Sequence, residues 1–216
     1  MIIDCHCHAG RGDGLTGPWD TNASLEKYLR RASRAGIDRT VLFAAFHSDY
    51  TLANQEVARI VNSRPDRFYG FAFVNPQRDR SRIRMMVEEA VTRYGFVGIK
   101  VHRHDASITR EVCETARAFS LPVLYDVVGE VSVVELLAQE YPDVTFIIPH
   151  LGSFADDWRA QLGLIDHLVR HRISIRTLPE CAVSICSNRQ CTGPARRRFS
   201  LAPMGHGCTP QSSWQK

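Results

Sequence analysis

The chain has 216 residues, 44% hydrophobic and 23% charged, with a formal net charge of +4. That length suits one large globular domain or two small ones: no apolar run reaches the roughly 18 residues of a membrane span, and no basic stretch followed by a long apolar one marks a secretory leader. Seven cysteines, an odd number without framework spacing, read as reduced thiols of a cytoplasmic protein.

Six β-branched or aromatic runs alternate with segments of helical period. MIIDCH precedes a helix over SLEKYLRRASRAG, with Ser24 as N-cap and Gly36 as its stop. TVLFAAF precedes a helix over 51–62, and RFYGFAFV precedes SRIRMMVEEAVTRYG. GFVGIKVH precedes ITREVCETARAFS, LPVLYDVV precedes VSVVELLAQEY, and VTFIIPH precedes a helix over 155–170. Strands alternating with helices predict a parallel sheet covered by helices.

The polar residues choose between a doubly wound sheet and a closed barrel. His6 and His8, His47, Asn75, Lys100 and His102, Asp126 and His150 fall at the C-terminal ends of the six strands. A doubly wound sheet gathers its ligands at one switch point, whereas a (β/α)8 TIM-type barrel draws them from nearly every strand end. The barrel is therefore expected. No GxGxxG follows the first strand, which weakens a dinucleotide reading.

The opening DCHCH carries the first chemical signal. Side chains alternate along a strand, so Asp4, His6 and His8 are expected on one face and Cys5 and Cys7 on the other. Free cysteine packs as a small hydrophobe, while two imidazoles at i and i+2 can reach one divalent ion. A lone His-x-His also arises as a pair of hydrogen-bonded core histidines. Its place at a strand end, with His150 at the end of the sixth strand, favours a metal site, and neutral imidazole is a common zinc ligand.

With IDCHCH, GFVGIKVH, LPVLYDVVG and FIIPHLGS on one chain, residues 1–172 resemble the amidohydrolase superfamily. The likeness is to its amidohydrolase-related (family 2) branch, which includes enzymes similar to aminocarboxymuconate-semialdehyde decarboxylase. The resemblance implies metal ligation by His6 and His8, with His150 a further ligand or an aid to proton transfer. Lys100 takes the position of a lysine that is carbamylated in some superfamily members; a structural ion pair with Asp126 is the alternative. His102 shares the face of Lys100. Asp126 stands where the branch usually has histidine, so the site charge differs and Mn²⁺ or Mg²⁺ compete with Zn²⁺. Lys100, His102 and Asp126 are the expected catalytic residues. His104 and Asp105 read as a solvated loop, and His47 as a hydrogen-bonding rim residue.

The implied reaction is hydrolysis of a small molecule, a metal-activated water attacking an amide, ester or lactone carbonyl. Metal-dependent decarboxylation of an unsaturated or aromatic acid is the alternative within the fold; an inactive truncated remnant is the alternative outside it. A small-molecule substrate is expected, with neither nucleic acid nor membrane as partner.

The last stretch breaks the pattern. The strand–helix rhythm stops at HRISIRTLPEC, and Cys181, Cys186, Cys191 and Cys208 crowd into residues 173–216. That segment has a net charge of +5, against −1 for residues 1–172. Its arginines are not interleaved with aromatics on a recognisable nucleic-acid module. Residues 173–216 are expected to be an irregular tail, a frameshifted reading of the normal barrel end, so that six strand–helix units remain of an incomplete barrel.

Overall fold

All six β-branched and aromatic runs form strands, and each leads into a helix. They are β1 (Ile3–Ala9), α1 (Leu25–Arg34), β2 (Arg39–Ala44), α2 (Tyr50–Ser63), β3 (Phe68–Phe73), α3 (Ile83–Tyr94), β4 (Gly98–His102), α4 (Arg110–Phe119), β5 (Val123–Asp126), α5 (Ser132–Glu140), β6 (Phe146–Pro149) and α6 (Trp158–Arg170). The structure, a computed structural model, describes residues 1–14, 25–153, 157–170, 174–178 and 182–186. Gly36 is left-handed, with φ +71, and Ile37 N–H closes onto Ala32 O at 2.9 Å to finish α1. The expected Ser24 cap lies outside the described residues. Asp49 caps α2, its carboxylate accepting the N–H groups of Thr51 and Leu52.

β1 to β6 pair in chain order, every pair parallel. Five strand spacings would put β1 and β6 about 24 Å apart in a flat sheet. The rings of His6, on β1, and His150, just past β6, are 4.6 Å apart. The sheet is therefore curled, and the ends of its first and sixth strands face each other across its concave side.

Burial follows this two-sided arrangement. β4 is buried along its whole length and β2 nearly so, as expected of strands covered on both faces. Helix α2 turns Tyr50, Ala53, Asn54, Val57, Ala58 and Val61 inward as one stripe. Asn54 does more than pack. Its amide donates to Phe73 O at 2.8 Å and accepts from Phe73 N at 2.9 Å. The β2–β3 ladder ends at Leu42–Gly70, and Asn54 satisfies the backbone of β3 beyond that point.

The first strand departs from simple alternation. Asp4 pairs with Thr40 and Cys7 with Leu42, so β1 holds one extra residue between those pairs, a β-bulge. The bulge corrects the expectation that Asp4 shares a face with His6 and His8. Asp4 instead accepts the Tyr28 O–H of α1 at 2.7 Å, and Tyr28 also bonds Thr40 Oγ1 at 2.8 Å. His8 is in phase with Phe43, its partner on β2, and both histidine rings pack on Phe43. Cys5, Cys7 and Cys113 are free thiols packed in or against the core.

The parallel order ends where the sequence pattern does. Ser174–Leu178 (β7) and Ala182–Cys186 (β8) form an antiparallel hairpin, and β8 lies antiparallel on β6. The alternation in SIRTL and AVSIC suits such pairing, whereas a (β/α)8 barrel continues with parallel strands. The rest of the segment 173–216, with Cys181, Cys191 and Cys208, lies outside the described residues.

A candidate metal centre at the strand ends

The bulge sets His6 and His8 on the concave side of β1. Asp126 closes β5, and His150 opens a single 3-10 turn, His150–Gly152, directly after β6. Both of these strand ends turn through left-handed residues: Val128 has φ 47, His150 φ 55 and Leu151 φ 53. Such backbone is unfavourable for side chains other than glycine, above all for a β-branched valine, and it concentrates at functional sites. Gly129 N donates to Gly152 O at 2.7 Å, tying the two turns together.

One donor atom each from His6, Asp126 and His150 lies within 4.8 Å of the other two. His6 Nε2 is buried with no hydrogen-bond partner, an unusual state for a buried polar atom. His8 stands beside the trio, its ring 5.6 Å from that of His6. Its Nδ1 is 2.8 Å from Ala44 O. A carbonyl can only accept, so the proton sits on Nδ1 and the Nε2 lone pair stays available, the arrangement found behind metal-bound imidazoles.

Electrostatics keep these imidazoles neutral. Burial, with Lys100 and neighbouring histidines adding to it, lowers His6 well below its usual range. Burial and Lys100 lower His8 to about 3. Burial, reinforced by Lys100, also lowers His150. Burial alone would raise Asp126, but the His102 imidazole 3.3 Å away and the charges of Lys100 and His150 hold it below the ordinary carboxylate range. Two neutral imidazoles and one ionised carboxylate form a donor set that suits a divalent cation.

His102 supports Asp126. The His104 N–H donates to His102 Nδ1 at 3.1 Å, which leaves the proton on Nε2, 3.3 Å from Asp126 Oδ2. Lys100 is fully buried. Its ammonium lies 4.9 Å from the Phe43 ring centroid and has no hydrogen-bond partner. The expected alternative of a direct Lys100–Asp126 ion pair is absent among the described residues; Asp126 pairs with His102 and, at 3.8 Å, His150.

The other strand-end residues shape loops. His47 Nδ1 accepts Asp49 N–H at 2.8 Å. Asn75 Oδ1 accepts the N–H groups of Gln77 and Arg78. Asp105, expected in a solvated loop, is half-buried and accepts the Tyr50 O–H at 2.5 Å; a tyrosine opening an amphipathic helix reads as plain core, so the sequence hid this pair. His104 is exposed.

A profile of the amidohydrolase family matches residues 3–202. Among solved structures, the chain is similar to a probable 2-pyrone-4,6-dicarboxylic acid hydrolase of Acinetobacter baumannii, with 16% identity and a TM-score of 0.55 over 76% of this chain and 66% of that one. It is also similar to the 4-oxalomesaconate hydratase of Rhodopseudomonas palustris, with 21% identity and a TM-score of 0.52 over 77% and 69%. A third is the 5-carboxyvanillate decarboxylase of Novosphingobium aromaticivorans with bound manganese, with 18% identity and a TM-score of 0.51 over 68% and 55%. The chain thus spans between 55% and 69% of these relatives. No curated protein matches the sequence.

Proposed function

Because the chain belongs to the amidohydrolase family, we propose that its strand ends form a metal-dependent hydrolase site for the amide, ester or lactone bond of a small organic acid. The observation that carries this reading is the convergence of His6, Asp126 and His150 around a buried, unbonded imidazole nitrogen. These three residues, joined by His8, would hold one divalent cation, Zn²⁺ by donor type with Mn²⁺ or Mg²⁺ as alternatives. Bound there, the cation supplies Lewis acidity toward a substrate oxygen and acidifies water.

The protein's own residues do the rest. His8 is fixed in one tautomer by Ala44 O, so no reorientation precedes ligation. His102 holds Asp126 ionised and aimed. The Lys100 ammonium, 4.9 Å from the Phe43 ring centroid and 6.0 Å from that of Phe73, would offset negative charge developing on the substrate. The organic-acid class is supported by the names of the similar proteins, a dicarboxylic acid hydrolase, an oxalomesaconate hydratase and a carboxyvanillate decarboxylase. Decarboxylation of such an acid is the second reading, favoured by the manganese-bound decarboxylase among them.

Elemental analysis tests the metal claim. Wild type is expected to retain close to one divalent ion per chain, and His6→Ala and Asp126→Ala to lose it while keeping their far-UV circular dichroism. Equal metal content in all three would refute the site. Ring opening of a lactone acid against CO₂ release from an aromatic acid then separates the two reactions.

A further inference from the structure

We propose that Tyr50 is a positioning residue that sets Asp126 from outside the centre, through Asp105 and His102. The proposal rests on the metal reading above. Tyr50 is fully buried at the start of α2 and its ring stacks on Phe73 at 4.1 Å, contacts a phenylalanine would make equally well. Its hydroxyl adds what a phenylalanine lacks, donating to Asp105 Oδ2 at 2.5 Å. Asp105 belongs to the turn after β4, where the N–H groups of Asp105 and Ala106 both point to His102 O, at 3.0 and 3.3 Å. In the same turn the His104 N–H meets His102 Nδ1 at 3.1 Å.

That last bond decides the tautomer of His102. With Nδ1 accepting, the ring proton is on Nε2, which lies 3.3 Å from Asp126 Oδ2, a buried oxygen with no aligned hydrogen bond of its own. Were the turn to swing away, His102 could carry its proton on Nδ1, and its bare Nε2 would repel the carboxylate. Tyr50 is well placed to prevent this, since Asn54 pins the same helix to the backbone of β3. The route runs from α2 through the turn and the imidazole to the carboxylate, and Tyr50 touches none of the proposed ligands. Hydrogen-bond partners behind metal ligands typically change metal affinity ten- to a hundredfold.

The test uses the full chain as wild type, Tyr50→Phe, Asp105→Asn and Asp105→Ala, each checked for fold by circular dichroism. Imidazole ¹⁵N spectra, assigned with His102→Gln, read the tautomer, and titration with Mn²⁺ alone reads affinity. Wild type and Asp105→Asn, which keeps an acceptor for the phenol, are expected to show His102 protonated on Nε2. Tyr50→Phe and Asp105→Ala are expected to mix the two tautomers and to bind Mn²⁺ roughly tenfold more weakly. An unchanged tautomer in Tyr50→Phe overturns the proposal, as does a changed tautomer with unchanged Mn²⁺ affinity. A wild type that binds no Mn²⁺ overturns the metal reading as well, so the two failures are told apart.

Discussion

Lys100 shows at the scale of one residue how a site opposes the fold that carries it. Burial lowers its pKa from 10.5 to about 8, only partly offset by Asp126 and Asp105. Between pH 8 and 10.5 the unfolded chain binds a proton that the folded chain has released. Stability from this group therefore rises with pH through that window, and below pH 8 the native state bears the whole cost, about 3 kcal/mol. Lys100→Met is expected to be more stable than wild type at pH 7 by up to that amount, with the difference shrinking as pH climbs from 8 to 10.5. Urea unfolding of both proteins across that range checks the sign, and a wild type more stable at pH 7 would contradict it. If Lys100 acts on substrate as proposed, loss of activity should accompany the gain.

Among the elements, β3 and β4 interlock through two glycines. A methyl group on Gly98 would overlap the Phe71 ring, and one on Gly70 the Phe96 ring. Each ring fills the space where its neighbour has no Cβ. Gly98→Ala should therefore destabilise by about 1–3 kcal/mol, the usual range for an overfilled core, without changing metal content; a thermal melt with elemental analysis checks both. Such elements were largely legible in the sequence. GIKVH and VLYD announce buried strands by composition, and the strand-end positions of His6, Lys100, Asp126 and His150 follow from the period alone. The bulge was not legible, because DCHCH alternates equally well with or without an extra residue, and only the pairing of Asp4 with Thr40 and Cys7 with Leu42 reveals it. Asn54 and Asp105 were hidden for a related reason. A polar side chain on a helix or in a loop reads as solvated until its partner, here Phe73 or Tyr50, is known. Nor does alternation in SIRTL and AVSIC say whether the strands run parallel or antiparallel.

For the whole molecule, the curl of the sheet has a consequence for how it holds together. His6 and His150 come from opposite ends of the six-strand body, yet their rings touch. Any ion gripping both would act as a clasp on a long belt of chain, joining β1 directly to the end of the sixth strand. Closing so long a loop costs an unfolded chain much entropy, whereas the folded chain has already closed it. The grip would then steady the belt as a whole and would not stiffen one loop alone. Adding Mn²⁺ is expected to slow amide hydrogen exchange in β1 and in β6 together, and His6→Ala to abolish both effects at once. Protection confined to one of the two strands would show that the buckle never fastens.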